Sequence, residues 1–199
     1  MTFIKTIALL QQQQPFFFWM TAIILGLLIG SFLNVVIARL PIILKRQWYQ
    51  ECEDLKEHVP FKDTYPKRFN LVLPHSHCPS CQKPLRIKDN IPLLSFLWLK
   101  GQCHYCNTKI SKRYPFVEAI SALVVFTSFA HFGVSLSALA VCVLGFALIA
   151  LTFIDLDEML LPDQITAPLL WLGLFLNLSH TFTSIEDAII GAMVGYLSL

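Results

Sequence analysis

Charge is what this sequence has least of. Only 14% of its 199 residues are charged and 55% are hydrophobic, whereas a soluble domain carries about 25% charged residues. A chain so poor in charge cannot cover itself with solvated groups, which excludes an ordinary water-soluble domain. Residues 16–38 contain no Asp, Glu, Lys or Arg at all. As a helix that run is roughly 34 Å long, enough to cross a bilayer. It is too long for the apolar core of a cleaved signal peptide, and no A-x-A-like site follows it, so it reads as an anchor. A glycine-rich phosphate loop is absent, and no internal repeat is visible.

Basic residues are nearly missing outside one segment. Fourteen of the fifteen Lys and Arg residues, but only six of the thirteen acids, lie between Arg39 and Arg113. That loop is therefore +8, and the rest of the chain is −6. Arg39, Lys45, Arg46, Lys100, Lys109, Lys112 and Arg113 lie close to helix ends, where positive charge holds a loop in the cytoplasm. The loop is expected to be cytoplasmic and the amino terminus periplasmic. Nucleic acid is not expected as a partner, because Phe96 and Trp98 sit in an apolar patch rather than among the basic residues. The lipid bilayer and its acidic headgroups suit the charge better.

There are six cysteines. Four of them form Cys78-Pro-Ser-Cys81 and Cys103-His-Tyr-Cys106. Two such pairs at this separation point to one tetrahedral zinc ion held by Cys78, Cys81, Cys103 and Cys106. In a reducing compartment metal is favoured over disulfides. Four thiolates leave no open ligand position, which makes the expected zinc structural. His75 and His77 precede the first pair and stand as alternative ligands or as ordinary loop residues. A redox role for the two pairs is a further alternative. Cys52 is isolated in a polar stretch, and Cys142, inside an apolar run, reads as a small buried hydrophobe.

The remaining pattern is helical and apolar throughout. We expect an all-α polytopic membrane protein with about five transmembrane helices, the last incomplete. Its cytoplasmic zinc-knuckle loop domain lies between the first and second helices. Residues 1–15 are a lead-in. The first helix spans 16–38, carries Gly26, Gly30 and Ser31 for close helix packing and Asn34 for a packing hydrogen bond, and ends at Arg39-Leu-Pro41. The zinc-binding loop domain covers 39–114. The membrane region 115–199 divides into 115–131, 134–154, 165–182 and 188–199, with a turn at His131-Phe-Gly133. Glu118 reads as a boundary carboxylate that snorkels or pairs with Lys112 or Arg113. Gly191 and Gly195 form a small-residue face for packing. Asp155 directly follows an apolar run, at a depth where an ionisable group is expensive and raises a functional hypothesis. Asp157 and Glu158 read as solvated, and Asp163 as a helix cap.

Assembled in order, these residues resemble the bacterial type IV prepilin leader peptidases, which are also N-methyltransferases. The matching pieces are Gly30-Ser-Phe-Leu-Asn-Val-Val36 with Arg39-Leu-Pro41, Asn70-Leu-Val-Leu-Pro74 and the two cysteine pairs. Asn90-Ile-Pro92, Lys112-Arg-Tyr-Pro115 with Glu118, and Asp155 to Asp163 continue the series. The resemblance implies a multi-pass inner-membrane aspartic protease of the Gly-x-Gly-Asp type. Such an enzyme removes the basic leader of prepilins and pseudopilins of type IV pili or type II secretion. It then methylates the new terminal amine from S-adenosylmethionine. Asp155 corresponds to the first catalytic aspartate. The methyl-transfer function goes with the cytoplasmic loop region, without a residue-by-residue map. The second aspartate should follow Gly-x-Gly, yet none of Gly173, Gly191 and Gly195 precedes an Asp. The expectation is a truncated member with half the protease site, unless Asp157, Glu158 or Asp163 substitutes. A non-catalytic zinc-dependent membrane module, binding a pilin or an assembly partner, is the competing function.

Overall fold

The apolar run that opens the chain does not stop at Pro41. The computed structural model describes residues 2–54, 66 and 68–198. A short helix α1 (Thr2–Gln13) leads into α2 (Pro15–Asp54), 40 residues long and continuous through Pro41. At 1.5 Å per residue α2 measures about 60 Å, twice the hydrocarbon thickness of a bilayer. The expected end at Arg39-Leu-Pro41 is thus corrected. Proline removes one backbone donor, but Pro41 and Leu44 are both buried. Partners found far along the chain by Arg39, Lys45 and Arg46 hold the helix beyond it. The charged stretch 55–65 and Lys67, part of the expected loop domain, lie outside the described residues.

Five more helices follow: α3 (Leu94–Trp98), α4 (Arg113–Phe132), α5 (Leu136–Glu158), α6 (Asp163–Asn177) and α7 (Ile185–Leu197). A 3₁₀ turn covers Ile87–Asn90. No strand occurs among the described residues, so the all-α, polytopic expectation is met. Three of the helices, α2, α4 and α5, are long and apolar enough to cross a membrane. Helices α6 and α7 are apolar, but at 15 and 13 residues they fall short of the ~20 that a perpendicular span needs.

Helices α2, α4 and α5 pack as the core. Leu33, Ile37, Val117, Ile149, Ala150 and Ile154 form one buried cluster, and Ala22, Val125 and Cys142 form another. Their outward faces are also apolar: Leu28, Phe32, Leu123 and Leu148 are all more than half exposed. Apolar residues on both the inside and outside of a bundle are what a lipid solvent permits and water does not.

Small residues set the α2–α4 distance. A Cβ on Gly26 would lie 2.7 Å from Ala122 Cα, and one on Gly30 would lie 2.7 Å from Glu118 Cα. Only hydrogen fits there. Between the two contacts and the loop, the buried Asn34 Nδ2 donates to the Tyr114 carbonyl at 3.1 Å. Gly133, at φ 60°, turns the chain between α4 and α5. Ser135 caps α5 by accepting from Ala138 N–H at 3.1 Å.

Gly191 and Gly195 have no described atom outside their own helix within 4 Å of a Cβ placed on them. One expectation for the C-terminal helices is corrected. Asp163 is the first residue of α6, not its cap. Its carboxylate accepts from the Thr166 hydroxyl at 3.4 Å, and it suits the positive end of the helix dipole.

Candidate functional site

The two cysteine pairs are built as two copies of one turn. In the first, Cys78 N–H donates to Lys83 O, Gln82 N–H to Cys78 O, and Leu85 N–H to Ser76 O. In the second, Cys103 N–H donates to Thr108 O, Asn107 N–H to Cys103 O, and Ile110 N–H to Gly101 O. Gln82 (φ 55°) and Asn107 (φ 54°) occupy the same left-handed position, and bridges His77–Pro84 and Gln102–Lys109 close both turns. Every partner in one turn maps to the other at one constant offset. The reading of no internal repeat is therefore corrected at this scale. The copies share a hydrogen-bond pattern and their cysteines but little other sequence, so the repeat was invisible as text.

The turns face each other. The four Sγ atoms of Cys78, Cys81, Cys103 and Cys106 all lie within 4.8 Å of one another, and Cys78 and Cys106 are 3.7 Å apart. A tetrahedron with Zn–S bonds of about 2.3 Å has edges of about 3.8 Å, whereas a disulfide needs about 2.05 Å. The donor set fits one soft, four-coordinate ion and no disulfide. Amide donors from Cys81 and Ser80 pull the Cys78 thiol below its ordinary value. The hydroxyl and amide of Thr108 pull Cys106 down to about 6. Cys81 is drawn down by the Lys83 amide, but burial and the neighbouring sulfurs outweigh this and push it up to about 11. Thiols spread this far apart are what close neighbours sharing protons produce. His77 Nδ1 lies 3.0 Å from the His75 carbonyl, and neither histidine belongs to the sulfur cluster.

This module is fastened to the helices at two points. The buried Arg39 of α2 donates to the carbonyls of Asn70 (2.9 Å), Leu71 (3.4 Å) and Pro74 (2.6 Å). Asn70 holds that turn from inside, its Oδ1 accepting from Val72 and Leu73 N–H. Arg39 and Arg46 also sit over the Phe69 ring at 5.7 and 5.6 Å. The second point is Glu118 of α4, whose Oε2 accepts from Leu93 N–H at 2.8 Å. Glu118 is only 8% exposed. It neither snorkels nor pairs with Lys112 or Arg113, which corrects that expectation; Gly30 lets α2 lie directly against it.

Arg113 is instead engaged with Asp157. Its Nη1 reaches both Asp157 oxygens at 2.7 Å, its Nη2 donates to the Phe153 carbonyl at 3.0 Å, and it lies 4.5 Å from the Phe153 ring centre. Glu158 pairs with Lys45 of α2. Asp157 and Glu158 are therefore ion-paired, not merely solvated, a correction that follows from bases remote in sequence. Asp155 differs from both. It lies in the last turn of α5, is exposed, and its carboxylate has no hydrogen bond or ion pair among the described residues. The helix ends four residues later at Met159, whose N–H donates to the Asp155 carbonyl.

Residues 24–132 match the bacterial peptidase A24 N-terminal domain, and residues 142–199 match the type IV leader peptidase family. A prepilin leader peptidase/N-methyltransferase of Stutzerimonas stutzeri is 48% identical over 185 residues, or 93% of this chain and 63% of that protein. One from Aeromonas salmonicida strain A449 is 47% identical over 185 residues, or 93% and 64%. The chain belongs to the type IV leader peptidase family. It spans a little under two thirds of the length of these curated relatives. No solved structure matches it.

In leader-peptidase terms, the gap between the two matched regions, residues 133–141, covers the turn after α4 and the start of α5. The knuckles, Arg39 and Glu118 lie in the first region, and Asp155 in the second. Sequence reasoning brought together the cysteines and singled out Asp155. It missed the Arg39 clasp and the Glu118 anchor, although both residues stood out as charges at or inside an apolar helix.

Proposed function

We propose that this chain carries the zinc module and one of the two protease carboxylates of a prepilin leader peptidase/N-methyltransferase. The enzyme would sit in the bacterial inner membrane, with its basic knuckle module on the cytoplasmic side and its amino terminus periplasmic. It would cut the basic leader from prepilins or pseudopilins and then methylate the exposed amine from S-adenosylmethionine. The observation that carries this reading is the isolation of Asp155. The last turn of α5 holds three acids, yet Asp157 and Glu158 are paired with Arg113 and Lys45 while Asp155 has no partner among the described residues.

An aspartic protease divides its work between two carboxylates. One takes a proton from the attacking water while the other gives a proton to the scissile carbonyl oxygen. Asp155 fits either role, because its oxygens are open at the end of a rigid apolar helix. Glu158 and Asp157 do not fit as its partner, since each is already drawn to a base on another helix. No Gly-x-Gly-Asp occurs in residues 1–199. Zinc, held by Cys78, Cys81, Cys103 and Cys106, would be structural: four sulfurs fill its shell and leave no site for water. The test is cleavage of a prepilin by this chain in membranes that lack another leader peptidase, compared with Asp155→Asn. Cleavage that survives Asp155→Asn overturns the assignment. Prepilin binding without cleavage, indifferent to Asp155→Asn, supports a non-catalytic membrane module instead.

A further inference from the structure

The knuckle module carries an apolar surface that its own fold leaves bare. Ile87, Ile91, Leu94, Leu97 and Trp98 are all exposed, the last three at 61%, 71% and 81%. Helix α3 has two sides. Ser95, Phe96 and Leu99 line the cleft between the module and helices α2 and α4, and the Phe96 ring lies against Gly101. Leu94, Leu97 and Trp98, at i, i+3 and i+4, share the side turned away from that cleft. A bare apolar face of this kind marks a surface that meets something other than water.

Its place in the fold says what covers it. Leu93, the residue before α3, donates its N–H to Glu118 at 2.8 Å. Glu118 lies five residues inside α4, a helix long and apolar enough to cross a membrane. That is about 7.5 Å along the helix axis from Arg113. The polar layer on each side of a bilayer is roughly 5–8 Å deep, so α3 starts where headgroups give way to acyl chains. The anchor is firm. Leu93 is held at φ 57°, ψ −47°, a conformation that a bulky side chain adopts only where its surroundings impose it. Exposed Lys88 and Lys100 bracket the helix, and cations beside apolar residues suit a surface with acidic headgroups.

We propose that α3 lies in the membrane interface on the module's side of the bilayer, with Leu94, Leu97 and Trp98 set among the upper acyl chains. The module then rests on the lipid instead of standing clear of it. Tryptophan suits this level, because its ring is apolar while its N–H reaches the polar layer. Held by Glu118 at one end and by lipid along its outer side, α3 fixes the height of the module above the membrane. The inference rests on the membrane-spanning helices and is independent of the protease and methyl-transfer chemistry.

The test is tryptophan fluorescence of the whole chain in vesicles of phosphatidylcholine and phosphatidylglycerol, with and without bromine on the upper acyl chain of the phosphatidylcholine. Bromolipid quenches rings within the bilayer, and acrylamide quenches rings in water. Trp98→Phe and Trp48→Phe each remove one exposed ring, so the parent signal minus that of the variant isolates the ring lost. Trp48 is the reference on the water side. It lies ten residues past Ala38 on α2, about 15 Å beyond the uncharged run. Trp98→Phe is expected to remove signal that bromolipid quenches and to leave the acrylamide-quenched signal unchanged. Trp48→Phe is expected to do the reverse. A Trp98 signal as open to acrylamide as that of Trp48, and indifferent to bromolipid, overturns the proposal. A Trp98 signal shielded from both quenchers also overturns it, because a protein surface, such as a second copy of this chain, then covers the face.

Discussion

Replacing Gly30 by alanine adds one methyl group where α2 touches α4, and its consequence follows from three distances. The new Cβ would lie 2.7 Å from Glu118 Cα and 2.9 Å from both Cβ and Oγ of Ser121. Carbon atoms rest at about 3.5–4.0 Å, so the shortfall is roughly 1 Å. The first obstacle is backbone and Ser121 is fully buried, so no flexible side chain can step aside. The two helices must part, which loosens the cluster around Leu33, Ile37 and Val117. Overpacking of this kind costs about 1–3 kcal/mol. Alanine also favours helix over glycine by about 1 kcal/mol, so the clean comparison is Gly195→Ala. That site receives the same propensity gain with nothing within 4 Å. Unfolding in detergent, followed by circular dichroism, should place Gly30→Ala below Gly195→Ala by that packing cost of about 1–3 kcal/mol. A Gly30→Ala variant as stable as Gly195→Ala refutes the close α2–α4 approach.

Three further outcomes are expected. Cys103→Ser should lower bound zinc in elemental analysis and expose the 76–110 region to proteolysis while leaving membrane insertion intact; a zinc-free but fully protected module contradicts the structural role. Arg39→Lys should destabilise the turn at 70–74 by about 1–3 kcal/mol, because an ammonium cannot fork across three carbonyls, and hydrogen exchange at Val72 and Leu73 reads this directly. The Arg86 hydrogen bonds hold Asp89 below its ordinary value of 3.8. A group depressed in the fold stabilises above its unfolded value and loses that contribution as pH falls through the lowered one. Asp89→Asn should accordingly flatten acid stability of the module below about pH 4, as measured by its unfolding midpoint across acidic pH.

The membrane character, the paired cysteines, the close-packing glycines of the first helix and Asn34 were legible because each is a local statement. Run length, ligand spacing and residue size are written in adjacent letters. What escaped reading depends on partners remote in the chain. Pro41 looks like a helix end until Arg39 is seen holding residues 70–74 and Lys45 holding Glu158. Glu118 looks like a surface carboxylate until Leu93 is found against it. Asp157 looks solvated because Arg113 is distant in sequence, although α4 and α5 bring the two together. The repeated turn escaped for the opposite reason: it is local, but it is encoded in backbone bonds and a left-handed position that two different residues, Gln82 and Asn107, occupy.

Those two matched turns have a consequence for how an ion enters and leaves. Each turn holds its own two sulfurs through bonds confined to a few residues, so either can grip a metal before the other is in place. Once one has done so, the second meets the ion as part of the same molecule, at an effective concentration that short tethers raise to the millimolar range. Half-loaded chains are then brief and sparse. A chelator competing for the ion should see the module empty in a single cooperative event, and trace metal should divide the population into full and vacant molecules rather than filling all of them partway.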